Sequence, residues 1–375
     1  MQPRVIAVGL AVVAGLALGA CGSTTPGETT SPTTTGLDSP TTARTLPGGR
    51  AASDPLTRTV AATAETFPIL RGGDSSEDVA IWVDPIDPTR SVIIGTDTHG
   101  IGVYDLAGMM LQYLPDGELH NVDLRGGFPL NGGRVTLVMA GNRKNNTIAI
   151  YVLNPLTRFL ENVAVRPIQP TAVTFGSCMY HSQKSDTFSY FVTSSEGTVE
   201  QWEMFEVLGR VDGRKVRDLS VSPGQQLGAC VADDELARVY IGEKKVGIWR
   251  YGAEPTSTDA RVSVDAIGST GHLAPDVEGL AIAYGNGGAG QLIASSEGNN
   301  SYAVYERGGA NVFMQRFDVR GGLVDGAEDS DGIDVTTANL GPLFPTGLFV
   351  AQDKSNDAGN QNFKLVPWGA VVSRG

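Results

Sequence analysis

The segment VIIGTD, residues 92–97, is a short β-branched run that ends in small residues and an oxygen-bearing side chain. Runs of this kind, bounded by turn-forming residues, are typical of β-strands. Five further copies follow in the chain: LVMAGN (137–142), YFVTSSE (190–196), VYIGE (239–243), LIASSE (292–297) and FVAQD (349–353). Successive copies end 45 to 56 residues apart, which indicates a sixfold internal repeat.

A second strand with a late aromatic residue follows five of these copies. The aromatic residues are Tyr104, Tyr151, Trp202, Trp249 and Tyr305, and we assign them to the core. Long helical periodicity is nearly absent from the chain. Six repeats of about 50 residues, each with several short strands, predict an all-β fold, a six-bladed β-propeller.

Oxygen-bearing side chains recur at corresponding places in the repeats. The six copies end in Asp97, Asn142, Glu196, Glu243, Glu297 and Asp353. An upstream series contains Asp78, Asp123, Glu278 and Asp334. Because the same strand end of every blade faces the same rim of a propeller, we expect these side chains to form a ring at the channel mouth.

The segment DGAEDSDGIDV, residues 325–335, carries five carboxylates within ten residues. Carboxylates this close repel one another unless a cation lies among them, although a solvated acidic loop is the alternative. Calcium takes six to eight oxygen ligands in flexible geometry and is the cation that suits such a set. The sequence alone does not separate structural calcium from catalytic calcium.

The N-terminal residues resemble a secretion signal. Residues 1–21 have a basic start and an apolar stretch too short to span a bilayer, and they end in LGAC. LGAC resembles a bacterial lipobox, so we expect lipidation at Cys21, with an ordinary signal peptide as the alternative. Residues 22–66 are rich in Ser, Thr and Pro and predict a disordered tether, and residues 67–375 the propeller.

Charge and cysteine content restrict the function further. The net charge of −13 argues against a nucleic-acid partner, because phosphate backbones require a basic surface. Cys178 and Cys230 are the cysteines of the predicted propeller. A disulfide is possible in an oxidising compartment, but we expect two buried free thiols.

Ten motifs in order, from Asp74 to Trp368, resemble the β-propeller phytases. They include DVAIWVDP (78–85), NVDLRGGFPLNG (121–132), GNRKNNTIAIY (141–151), YHSQKS (180–185), DVEGLAIAY (276–284), DSDGIDV (329–335) and NQNFKLVPW (360–368). The resemblance implies a six-bladed propeller that binds several calcium ions. It also implies hydrolysis of calcium-complexed myo-inositol hexakisphosphate (phytate), with phosphate supply outside the cell as its purpose.

The resemblance also implies roles for particular residues. The implied metal ligands are Glu77, Asp78, Glu196, Glu243, Asp276, Glu278, Asp331, Asp334 and Asp353. The implied catalytic residues are Glu196, Glu243, Asp276 and Tyr180, and the implied substrate-binding residues are Asn142, Arg143 and Tyr180. We expect a monomer on the outer face of the cell membrane, held there by lipid or secreted.

A second function stays open, because the chain departs from the family pattern near the expected channel mouth. Ser195 stands where the family usually has a lysine, and Gly228-Ala229 where it usually has Glu-Gly. Each lost cation removes a charge-assisted contact to phosphate. The alternative to a calcium-dependent phytase is therefore a catalytically weakened, calcium-binding propeller that acts as a binding module at the cell surface.

Overall fold

The computed structural model describes residues 57–373, and these residues form six sheets arranged as the blades of a propeller. The chain begins with β1 (Thr57–Ala61) and β2 (Ala64–Glu65). Blade 1 comprises β3 (Ser76–Trp82), β4 (Val92–Asp97), β5 (Gly100–Asp105) and β6 (Met110–Leu114). Blade 2 comprises β7 (Leu119–Leu130), β8 (Gly133–Asn142), β9 (Thr147–Leu153) and β10 (Leu160–Asn162). Blade 3 comprises β11 (Thr174–His181), β12 (Phe188–Ser194), β13 (Thr198–Val207) and β14 (Arg210–Ser220).

The second half of the chain repeats this arrangement. Blade 4 comprises β15 (Leu227–Asp233), β16 (Arg238–Glu243), β17 (Gly247–Gly252) and β18 (Val262–Ala266). Blade 5 comprises β19 (Leu280–Tyr284), β20 (Gly290–Ser296), β21 (Ser301–Glu306) and β22 (Phe313–Arg320). Blade 6 contains β23 (Ile333–Thr336), β24 (Leu348–Asp353) and β25 (Asn362–Pro367), and the helix α1 (Trp368–Val372) follows it. The prediction of a six-bladed β-propeller is confirmed.

The repeat that predicts the fold is the second strand of each blade. All six residues of β4 and of β24 are buried, so both faces of these strands lie against protein. A strand covered on both faces reads as a nearly continuous apolar run rather than as an alternating one. This burial explains why VIIGTD and its copies are the clearest signal in the sequence.

The core is divided into apolar clusters that lie between neighbouring blades. One cluster joins Val92 and Ile94 of blade 1 to Val138 and Ala140 of blade 2. The other clusters join blades 2 and 3, 3 and 4, 4 and 5, 5 and 6, and 6 and 1. Each blade therefore depends on both neighbours for the burial of its apolar side chains, which is the main stabilising term.

The N-terminal strands complete the last two blades. Strand β2 pairs antiparallel with β25 as the outermost strand of blade 6, and β1 pairs parallel with β22 on blade 5. The first strand of blade 6, β23, contacts the first strand of blade 1, β3, and so closes the ring. The predicted boundary at residue 66 is wrong, because residues 57–65 of the supposed tether pair with the propeller. Their Thr, Val and Ala residues suit an edge strand as well as a linker.

The signal segment 1–21 with Cys21, and residues 22–56 of the predicted tether, lie outside the described residues. Within residues 57–373, no helix has both the length and the apolar character needed to cross a membrane.

The two cysteines of the propeller form a disulfide. Cys178 lies on β11 and Cys230 on β15, the first strands of blades 3 and 4, and their Cα atoms are 5.4 Å apart. This separation is within the usual range for a disulfide. The expectation of two free thiols is wrong, because the ring brings together two strands that are 52 residues apart in sequence.

We expect the double variant Cys178→Ala/Cys230→Ala to unfold at a lower urea concentration than the wild type. Cross-linking a loop of this length removes chain entropy from the unfolded state, and that effect is worth roughly 4 kcal/mol. Reductant should lower the urea concentration at which the wild type unfolds to that of the variant, and it should leave the value for the variant unchanged. The disulfide is contradicted if the unreduced wild type, in denaturant, titrates with two more thiols than the double variant.

Candidate functional site

A polar cavity of about 260 Å³ opens where the first strands of all six blades begin. Strands β3 and β7 contribute residues next to their first positions, and β19 and β23 contribute residues just before theirs. The lining residues are Asp74, Glu77, Asp78, His120, Asn121, Arg143, Phe175, Gly228, Lys244, Asp276, Glu278, Glu297, Asp331, Gly332 and Lys354. Seven of these side chains are carboxylates, and three are lysine or arginine.

Irregular strand pairing lets consecutive residues face the cavity together. Consecutive side chains of a regular strand point to opposite faces, yet Glu77 and Asp78 both line the cavity. The register of β3 against β4 shifts between Ser76 and Val79, where these two residues lie. A bulge of this kind re-aims side chains, and the starts of β7, β11 and β15 carry similar shifts.

Three carboxylates at blades 4 and 5 form a candidate metal centre. Oxygen atoms of Asp276, Glu278 and Glu297 all lie within 4.8 Å of one another. Asp276 Oδ1 is buried and has no hydrogen-bond partner among the described residues. A buried oxygen without a donor is costly unless a cation satisfies it. Hard oxygen donors at this spacing fit calcium.

Two lysines contact this cluster directly. The Nζ atom of Lys244 makes a close ion pair with Glu278 Oε1 and lies 3.9 Å from Asp276 Oδ2. The Nζ atom of Lys354 lies 3.1 Å from Glu297 Oε1 and 3.1 Å from Asp331 Oδ1. The carboxylates of the cluster therefore already have cationic partners supplied by the protein.

Burial dominates the protonation of the cavity carboxylates. It raises the pKa of Glu77 and of Glu278 to about 8, and that of Asp331 to about 7. The nearby basic groups Arg143, Lys244 and Lys354 lower these pKa values, but less than burial raises them. A cation bound among these groups would favour their charged forms and release protons.

The cavity lining also includes an arginine, an aromatic ring and a histidine. The guanidinium of Arg143 lies 4.2 Å from the centre of the Phe175 ring, and its Nη2 donates to the Phe175 carbonyl at 2.8 Å. Its Nε is buried without a hydrogen-bond partner among the described residues. His120 Nδ1 lies 2.7 Å from Glu77 Oε2. Burial, and then the neighbouring Arg143, lower the pKa of His120 to about 3, so the imidazole is neutral.

A smaller group of carboxylates lies deeper in the channel, below Asp78. Asp334 Oδ2 accepts a hydrogen bond from the Ile81 amide at 2.7 Å. Asp123 is paired with Arg125 at 2.7 Å. Burial raises the pKa of Asp334 to about 7 and that of Asp78 well above its usual value. These groups line a separate narrow space of about 30 Å³.

The structure brings six of the predicted site residues to the mouth cavity. They are Glu77, Asp78, Arg143, Asp276, Glu278 and Asp331. Asp334 lies in the deeper space instead. Asn142 donates to the Asp116 carbonyl at 2.9 Å and Glu196 is exposed, and neither lines the cavity.

Three further predicted residues have partners elsewhere. Glu243 accepts a hydrogen bond from Trp249 Nε1 at 2.7 Å, and the Tyr180 hydroxyl donates to Glu254 at 2.9 Å. Asp353 is buried and forms an ion pair with Lys364 at 3.3 Å.

The predicted ring of six strand-end residues at the mouth is wrong, and Glu297 is the one member that lines the cavity. These residues end the second strand of each blade or follow it within two residues, and the second strand lies one strand farther from the channel than the first. Of the upstream series, which lies at or just before the starts of first strands, Asp78 and Glu278 line the mouth cavity, and Asp123 and Asp334 line the deeper space. Sequence reasoning missed Lys244, Lys354, His120 and Phe175, and of these Lys244 and Lys354 directly follow members of the repeat.

We expect the melting temperature of the calcium-free protein to fall between pH 6.5 and pH 8. The folded-state pKa values of Glu77 and Glu278, near 8, exceed their ordinary value of 4.5. The folded protein therefore holds more protons than the unfolded chain over this window, and the free energy of unfolding falls as the pH rises. The lowered pKa of His120 makes the free energy of unfolding rise with pH, but it does so only below pH 6.5, the ordinary pKa of histidine.

Thermal melting in excess chelator at several pH values measures this slope. The double variant Glu77→Gln/Glu278→Gln should flatten it, whereas Glu206→Gln, at an exposed residue of β13, should not. A wild-type melting temperature that rises between pH 6.5 and pH 8 would contradict the raised pKa values of Glu77 and Glu278.

Comparisons with known proteins agree with the motifs. The phytase family matches residues 29–374 of the chain. The 3-phytase of Bacillus subtilis (strain 168) is 42% identical over 327 residues, which cover 84% of each protein. The β-propeller domain of Cps50 (Swd1) from Myceliophteria thermophila has a TM-score of 0.45 at 11% identity, covers 81% of this chain and 99% of its own, and is too distant to inform function. The extent of the family match and the identity to the Bacillus subtilis enzyme show that the chain belongs to the phytase family.

Proposed function

We propose that the protein is a calcium-dependent phytase that removes phosphate from calcium-complexed myo-inositol hexakisphosphate outside the cell. The observation that carries this proposal is the mouth cavity, where the Asp276–Glu278–Glu297 cluster lies beside Arg143, Lys244 and Lys354. The identity to a 3-phytase supports the reaction and the substrate class. The alternative, a binding module without catalysis, is not favoured by these comparisons.

The charge of the cavity explains why a polyanionic substrate needs metal ions. Seven carboxylates and three basic side chains line the cavity, so it repels phosphate when the carboxylates are ionised. Bound calcium would supply positive charge to phosphate oxygens and lower the pKa of a bound water. The cluster residues Asp276, Glu278 and Glu297 would hold the ion, and Asp276 Oδ1 has no hydrogen-bond partner within residues 57–373 that would compete for it.

The protein's own basic groups would position the phosphate. Arg143 is oriented by its stacking on Phe175 and by its hydrogen bond to the Phe175 carbonyl. Its buried Nε has no hydrogen-bond partner among the described residues and can donate to a phosphate oxygen. A planar guanidinium held in this way is suited to bind phosphate through charge-assisted hydrogen bonds.

The N-terminal segment supports the proposed location. We propose that lipid on Cys21 holds the enzyme at the outer face of the cell membrane, with residues 22–56 as the tether. This rests on the LGAC motif at the end of the apolar stretch. We also propose a monomer, since one propeller contains the whole candidate site.

We expect Glu278→Gln and Asp276→Asn to lower phosphate release from calcium phytate by roughly 100-fold each. Both changes keep the shape of the side chain and remove charge that would hold the ion, and losses of this scale follow removal of one group that stabilises transition-state charge. Excess chelator should abolish release by the wild type. Glu206→Gln, an exposed change of the same kind, is the matched control.

The same assay tests the residues that the structure separates from the cavity. Glu243→Gln should retain activity, because Glu243 lies with Trp249 and does not line the cavity. Full activity of Glu278→Gln at low calcium, or of the wild type in chelator, would show that catalysis does not depend on this centre.

We expect Cys21→Ser to move the protein from the membrane fraction to the medium, because the serine variant cannot carry the thioether-linked lipid. Immunoblots of the two fractions measure the distribution. The neighbouring change Ser23→Ala leaves the cysteine in place and should leave the protein with the membrane. Membrane partitioning that is the same for Cys21→Ser and the wild type would exclude the lipid anchor.

A further inference from the structure

The two lysines of the mouth cavity lie against the carboxylates that would hold the ion. Lys244 Nζ is in ion-pair contact with Glu278 and lies 3.9 Å from Asp276 Oδ2. Lys354 Nζ lies 3.1 Å from Glu297 Oε1. Every carboxylate of the candidate metal centre therefore has an ammonium group within 4 Å.

These lysines are mostly buried in the cavity and are not free surface side chains. Their side chains are 17% and 19% exposed. Lys244 also lies 5.5 Å from the centre of the Phe175 ring, and Lys354 also pairs with Asp331 at 3.1 Å. Both follow directly after the second strand of a blade, so the backbone of β16 and of β24 directs them to the mouth.

A divalent ion and an ammonium group cannot share these oxygens without strong repulsion. The ligand oxygens lie within 4.8 Å of one another, so an ion among them would be close to both Nζ atoms. Repulsion at such a distance is large in a partly buried cavity, where water screens charges less. An ion can bind only if the lysine side chains move away from the cluster.

We propose that Lys244 and Lys354 are internal counter-cations that compete with calcium for the Asp276–Glu278–Glu297 cluster. They stabilise the carboxylates in the calcium-free protein, and the ion displaces them when it binds. The lysines thereby raise the calcium concentration at which the site fills. This inference rests on the proposed function, since it assigns calcium to this cluster.

The flexible side chain of lysine makes the displacement feasible. An ammonium on a four-carbon stem can turn away from one carboxylate without a change in the backbone. The displaced ammonium groups stay in a cavity that would then hold a cation and its phosphate ligand. They can bind phosphate oxygens there, so calcium and phosphate should bind more tightly together than separately.

Calcium titration by calorimetry, without substrate, tests the competition. We expect Lys244→Gln and Lys354→Gln each to bind calcium at the cluster about tenfold more tightly than the wild type. Lys245→Gln is the matched control, because Lys245 is the next residue, is exposed and changes the net charge equally. Lys244→Arg keeps the charge and should keep the weaker binding of the wild type.

Thermal melting of the same variants gives a second readout. In chelator, Lys244→Gln should melt at a lower temperature than Lys245→Gln, because Glu278 loses its partner. On addition of calcium, its melting temperature should rise by more than that of the wild type, since tighter binding stabilises the folded state more. Lys244 thus stabilises the calcium-free protein and reduces the stabilisation that calcium provides.

The outcomes separate this inference from the proposed function. Equal calcium affinity of Lys244→Gln, Lys354→Gln, Lys245→Gln and the wild type overturns the competition, whatever the rate of phytate hydrolysis. If Lys244→Gln binds calcium and the wild type does not, the competition is supported. The proposed calcium-dependent hydrolysis by the wild type would be contradicted by that same result. Absence of calcium binding in every variant overturns both.

Discussion

The packing of each blade against its two neighbours is the constraint on which the rest of the structure depends. The apolar clusters lie between blades, so no sheet can bury its side chains alone. Six sheets that satisfy this condition close into a ring, and β2 and β23 complete the closure at blade 6. The ring then sets the starts of six first strands around one mouth, where the polar cavity forms.

That arrangement concentrates carboxylates where water is limited. Lysine side chains of the protein pair with several of them and reduce their repulsion. Within the segment 325–335, Asp325 pairs with Lys364, Asp331 pairs with Lys354, and Asp334 accepts from backbone amides. Glu328 and Asp329 are exposed to solvent. The five carboxylates therefore lie in different surroundings, and the repulsion among them is reduced by a different partner, or by solvent, at each one.

The surroundings of Asp353 and of Asp276 differ in how each carboxylate is paired. Lys364 is fully buried and contacts Glu65, Asp325 and Asp353, so its ammonium fills that cluster. At the mouth, Asp276 Oδ1 has no hydrogen-bond partner or basic group in contact among residues 57–373, and the lysines there are partly exposed. A buried ion pair of the first kind supports the fold, and the second arrangement can exchange its cation for another.

The sequence by itself determined the number of blades, the family, and the carboxylates that start the first strands, because a strand buried on both faces leaves an apolar run that repeats visibly. It did not determine which acidic series faces the channel, since both series lie next to strand ends, and only the tertiary structure shows that Glu278 precedes a first strand whereas Glu243 ends a second strand. It also did not reveal the Cys178–Cys230 disulfide, the place of residues 57–65 in blades 5 and 6, or the contacts of Lys244 and Lys354 with the Asp276–Glu278–Glu297 cluster. Those features join residues from different blades, and only closure of the ring brings them together.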